Sequence, residues 1–138
     1  MFKTIVKIAE YSGEGIGGVT ESEHWSVLLL NYLPRLAPDA LTDMQKHRET
    51  DECFILLSGK AVLFTARGED APLDLECYPL KLGAVYRVPQ GIWHTQAMSR
   101  DAKILLVENT GTTPENSPRC GLTQEQIAEV HKWCAKEM

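Results

Sequence analysis

Residues 83–98, which read GAVYRVPQGIWHTQAM, constrain the fold more than any other stretch. Gly83, Pro89, Gly91 and His94 stand at set intervals, and the chain's own composition would produce that spacing with a chance on the order of one in a thousand. Pro89 and Gly91 end one extended segment and turn the backbone sharply. The next strand then enters the core with His94 facing inward, followed on the same face by Gln96 and Met98.

A second informative stretch, residues 43–59, reads DMQKHRETDECFILLSG. In an extended strand Gln45 and His47 share a face, and Lys46 and Arg48 share the other. Glu52 lies five residues past His47 and so breaks the alternation. A turn or bulge within Arg48–Asp51 is required before Glu52 can point inward with Phe54 and Leu56.

The rest of the chain reads as short apolar or alternating segments between turn signals, which suits an all-β domain. Strands are expected at Lys3–Ile8, Trp25–Tyr32, Asp43–Arg48, Glu52–Leu57, Ala61–Ala66, Leu73–Tyr78, Ala84–Val88, His94–Met98 and Lys103–Glu108. Ser58-Gly59 has the composition of a tight hairpin turn, as does Arg67–Asp70. Pro34 and Pro38 make Leu33–Ala40 a loop. Thr112–Gly121 is rich in Pro, Ser and Thr, and Thr123-Gln124-Glu125-Gln126 has capping-box spacing, so one helix is expected over residues 123–137. Ile127, Val130, His131 and Cys134 share a stripe of that helix, which reads as a packing face.

With 138 residues, 43% hydrophobic and 24% charged, the chain is sized for one domain over 1–138 and composed like an ordinary globule. The barrel is expected over about 1–111, with a loop and helix over 112–138. A formal charge of -5 without a basic cluster argues against nucleic acid or an anionic membrane as partner. No apolar run approaches the ~20 residues of a membrane helix, and the first ten residues lack the pattern of a secretory signal, so a cytoplasmic location is expected. The four cysteines form no Cys-x-x-Cys pair and read as free thiols.

The two informative stretches resemble the cupin superfamily, in its small single-domain form. Its first motif is G-x5-H-x-H-x3,4-E-x6-G, met here as Gln45-x-His47-x4-Glu52-x6-Gly59. Its second is G-x5-P-x-G-x2-H-x3-N, met here as Gly83-x5-Pro89-x-Gly91-x2-His94-x3-Met98. The chain departs at Asp39, where the motif has Gly, at Gln45, where it has its first His, and at Met98, where it has Asn. The resemblance implies a double-stranded β-helix, or jelly-roll barrel, with a C-terminal α-helix. It also implies a divalent metal held by His47, Glu52 and His94, the ion being Fe, Mn, Zn, Ni or Co. Gln45 would add a neutral oxygen or hydrogen-bond a water on the ion.

Two imidazoles and a carboxylate are also the set found in facial-triad sites with open coordination positions. The competing reading is a barrel in which His47 and His94 are hydrogen-bonded interior residues without metal. Phe54, Gln96 and Met98 are candidates for a substrate pocket, with Phe64 beside them, while Tyr86 and Trp93 suit either that pocket or outer-face packing. Glu49 and Asp51 read as turn residues, and His24 as surface. The resemblance implies action on a small polar metabolite, carbohydrate-like or carboxylate, as an isomerase, lyase or dioxygenase. A non-catalytic binding protein and a degenerate assembly module are the alternatives. Finally, Cys53–Leu57 is apolar on both faces while only one can face the barrel; other strands of the sandwich could cover the second, but small cupins commonly pair through such strands, so the resemblance implies a homodimer.

Overall fold

The computed structural model describes residues 5–138. Among these residues ten strands form two five-stranded antiparallel sheets. The first sheet contains β1 (Gly15–Glu21), β2 (Trp25–Asn31), β4 (Glu52–Ser58), β7 (Val85–Val88) and β9 (Lys103–Asn109), in the order β1-β2-β9-β4-β7. The second contains β3 (Asp43–Gln45), β5 (Ala61–Arg67), β6 (Leu73–Pro79), β8 (Trp93–Met98) and β10 (Arg119–Gly121), in the order β10-β3-β8-β5-β6. The chain thus crosses repeatedly from one layer to the other, as a jelly roll requires. A helix, α1 (Gln124–Glu137), closes the sequence.

Alternation along the strands fills the space between the sheets. Phe54 and Leu56 of β4, Ile104 and Leu106 of β9, Leu30 of β2 and Met98 of β8 are all buried. α1 lies against β5 and β6 and buries Val130 and Cys134, while His131 stays exposed. Thr123 caps the helix by accepting from the Gln126 backbone N–H, with Gln126 reciprocating. Among the described residues no helix covers the outer face of the first sheet, where Ile55 and Leu105 are half-buried and Leu57 and Val85 are exposed. All four cysteines are free.

Several sequence expectations need correction. Of the Lys3–Ile8 segment, Lys3 and Thr4 lie outside the described residues, and Ile5–Ile8 form no strand. Asp43–Arg48 is a strand only to Gln45, because the chain leaves the ladder to build the turn before Glu52. Ser58-Gly59 is not a hairpin: β4 and β5 belong to different sheets, and Gly59, at φ 71°, turns the corner between layers. Arg67–Asp70 does join the antiparallel pair β5–β6. Two strands were not foreseen. β1 contains three glycines and lacks alternation, and β10 is a three-residue edge pairing with β3 within the stretch read as irregular.

Candidate metal centre

The two informative stretches converge at one end of the barrel interior. Their turns are tied together: the Gly91 N–H donates to the His47 carbonyl at 2.7 Å, and the Gln90 N–H donates to Asp51 Oδ1 at 2.8 Å. Asp51 also pairs with Arg87 at 2.7 Å. The Gln90 N–H and then Arg87 hold its carboxyl below the usual range. Asp51 is thus a turn residue, and Glu49 likewise accepts from Asn116 at 2.7 Å. His24 is on the surface.

From this clasp His47 projects off the irregular segment after β3, Glu52 off the start of β4 and His94 off β8. All three are buried, and one ligand atom from each lies within 4.8 Å of the others. Glu52 Oε1 stands 3.3 Å from His47 Nε2 and 3.1 Å from His94 Nε2. Ligands about 2.1 Å from a shared ion lie roughly 3.0–3.4 Å apart, so these separations match neighbouring positions of one coordination sphere.

The hydrogen bonds behind the imidazoles determine which ring nitrogen carries the hydrogen. His94 Nδ1 faces the Ile92 carbonyl at 3.1 Å, and a carbonyl can only accept. His47 Nδ1 lies 2.7 Å from Ser117 Oγ, which itself donates to Asn116 Oδ1 at 3.2 Å and so accepts from His47. Both Nε2 atoms therefore present lone pairs to Glu52. Three acceptors aimed at one another in a buried space repel unless a cation sits among them. The donor set fits a divalent metal, and the outer hydrogen bonds orient the rings as ligating histidines require.

One residue of the cluster was not foreseen. Glu108 of β9 is the cross-strand partner of Glu52, and its Oε2 lies 3.7 Å from His47 Nε2. Burial, then the hydrogen bond and charge of Glu52, push the Glu108 carboxyl up to about 9, which favours its protonated form beside the Glu52 carboxylate. For Glu52 burial acts upward, but its close contacts with His47, His94 and Glu108 prevail and hold it below the usual range. The signal for Glu108 was available: Ile104 and Leu106 point inward, so the alternation puts Glu108 inward too.

Above the cluster lies a cavity of about 220 Å³, lined by Gln45, Phe54 and Gln96 together with Arg35, Leu36 and Arg119. Gln45 is directly opposite His94 in the β3–β8 ladder. Phe54 stands edge-on to His94, ring centroids 5.7 Å apart. Met98 is wholly buried further along β8 and is not among the lining residues. Phe64 and Trp93 are buried in the hydrophobic core and do not line this cavity; Trp93 carries the Lys46 ammonium 4.6 Å above its ring and donates to the Gly68 carbonyl at 2.9 Å. Tyr86 lines a separate cleft of about 290 Å³ between β6 and β7.

Solved structures share this architecture. A cupin-2 domain protein from Shewanella frigidimarina matches with a TM-score of 0.50 at 20% identity, covering 72% of this chain and 84% of that one. The fold is that of the cupins. The Streptomyces cupin barrel Pac13, described as a nucleoside dehydratase, matches at 11% identity over 91% of this chain and 96% of that one, with a TM-score of 0.57. A Planctomyces limnophilus protein matches at 15% identity over 84% and 96%, with a TM-score of 0.54. No family model matches the sequence, and no curated protein does. Within this cupin barrel, a His-His-Glu cluster suited to a cation faces a small polar cavity. No helix is long and apolar enough to cross a membrane among the described residues.

Proposed function

We propose that this chain is a divalent-metal-dependent cupin enzyme that moves a proton on a small polar metabolite, in the manner of an isomerase or lyase. The observation that carries this reading is the convergence of the lone pairs of His47 Nε2 and His94 Nε2 on Glu52 Oε1 at the base of an open cavity. A metal there would polarise an oxygen of the bound molecule. Glu108 supports proton transfer over oxygen chemistry, because a protonated carboxyl beside the cluster is placed to give up or take back a hydrogen. Gln45 and Gln96 line the space above with no protein hydrogen bond to either amide side chain among the described residues, leaving donors and acceptors for a polar ligand. One cupin barrel with the same architecture is described as a nucleoside dehydratase, a reaction of this proton-transfer class.

The test is elemental analysis of protein purified without chelators. About one equivalent of a divalent transition metal is expected, and its loss in the His47→Ala/His94→Ala double variant ties it to the cluster. Wild-type protein that neither carries such a metal nor takes one up on dialysis would defeat the reading.

The uncovered outer face of the first sheet supports a homodimer. Leu57 and Val85 on that face are exposed apolar side chains. A sedimenting species of twice the chain mass at micromolar concentration is expected. A monomer at that concentration refutes the dimer and leaves the metal reading intact.

A further inference from the structure

The cluster is acidic at its base, yet the cavity above it carries two cations. Arg35, in the turn after β2, and Arg119, on β10, line this cavity and also an adjoining outer groove of about 370 Å³, lined besides by Ala40, Leu41, Thr42 and Asp43. They therefore stand on the rim shared by the two spaces. Arg119 spends part of its guanidinium on Asp43, at 3.4 Å. Arg35 has no carboxylate partner among the described residues. In a chain of net charge -5, no other cationic side chain lines the cavity among the described residues.

The sheet register fixes how this rim stands to the cluster. Arg119 is opposite Gln45 on β3, and Gln45 is opposite His94 on β8. The three lie in one cross-strand row on one face, with strands about 4.8 Å apart. Arg119 is thus two strands, roughly 10 Å, from His94, with the Gln45 amide between. A guanidinium offers a planar fork of donors that fits carboxylate and phosphate oxygens, and an arginine without a partner at a cavity rim is suited to an anion from solution.

From this row we infer that the ligand is a small anion, a carboxylate or phosphate monoester, whose charged group is held by Arg35 and Arg119 while its hydroxylated end passes Gln45 to the cluster. The inference rests on the cavity being a ligand site, and it narrows the metabolite to an anionic one of roughly 10 Å or less. A neutral sugar would leave the two arginines without a counter-charge.

The test uses the full-length protein, with inorganic phosphate and malonate as separate probes at constant ionic strength. Arginine side-chain Nε–Hε and histidine ring resonances are followed by NMR. Saturable shifts at Arg35 and Arg119 are expected, with at least one probe bound tenfold or more tighter than at exposed Arg100. Arg35→Gln and Arg119→Gln should each weaken that binding at least fivefold, and the tighter probe identifies the charged group. Equal, non-saturating shifts at all three arginines would overturn the inference. So would shifts confined to the His47 and His94 rings, which would put the anion at the cluster. Zinc affinity, measured on the same samples, should stay within twofold in both variants. Failure of zinc to bind wild-type protein counts against the metal reading alone, because the arginine titration can be run without it.

Discussion

Replacing Glu108 by Gln should change how the stability of chelator-treated protein depends on pH. Glu108 has a folded value of about 9 against about 4.5 for an unperturbed glutamate. Between those values the folded protein holds one proton that the unfolded chain releases, so stability is lost as pH rises, at about 1.4 kcal/mol per pH unit. Glu52 has the opposite sign: its folded value is lowered, so its contribution is lost only as pH falls below the unperturbed range. From pH 6 to pH 8 Glu52 is ionised in both states, and the four histidines, common to both proteins, cancel to first order in the difference between wild type and Glu108→Gln. The stability of wild type minus that of Glu108→Gln should therefore fall by about 2–3 kcal/mol over that interval. For a chain of this size that is a relative change in Tm of about 8–10 °C. Urea or thermal unfolding of both proteins at half-unit pH steps in EDTA measures it. A difference that is flat, or that grows with pH, would show that Glu108 is ionised in the folded protein and would remove it as a proton carrier.

Two further substitutions test the frame around the cluster. Ser117→Ala removes the acceptor of His47 Nδ1 at 2.7 Å and frees the ring to rotate or change tautomer; metal affinity should fall about 10–100-fold while the fold is retained, as a competition titration with a chromogenic chelator would show. Unchanged affinity would mean that the ring is oriented by other contacts. Gly59→Ala puts a Cβ at 2.6 Å from the Ala102 backbone in a left-handed conformation, and should cost at least about 2 kcal/mol and lower Tm by roughly 7 °C, read by calorimetry. A loss below 2 °C would show that the corner between the sheets can relax.

How far the sequence reveals this molecule depends on how far apart the interacting residues lie along the chain. The turn at Arg48–Asp51 was legible because Glu52 breaks the alternation set by Gln45 and His47, and no straight strand could bring all of them inward. The sharp turn at Pro89–Gly91 was legible from the conformations those residues permit. By contrast, Ser58-Gly59 suits a hairpin and an inter-sheet corner equally. What separates the two is the contact of Gly59 with Ala102, more than forty residues away. β1 was invisible because Gly15, Gly17 and Gly18 carry no pattern; its strand state comes from pairing with β2. Glu108 had a local signal, its inward parity after Ile104 and Leu106, but its meaning depends on the β4–β9 register that sets it opposite Glu52. Slipping that register by one residue would turn Glu108 outward and leave Val107 against the cluster. The apolar inward face of β9 fixes the register, so the hydrophobic pattern of Lys103–Asn109 positions a carboxyl beside the cluster. Arg119 depends in the same way on the three-residue pairing of β10 with β3, and only that pairing connects the rim of the cavity to its base.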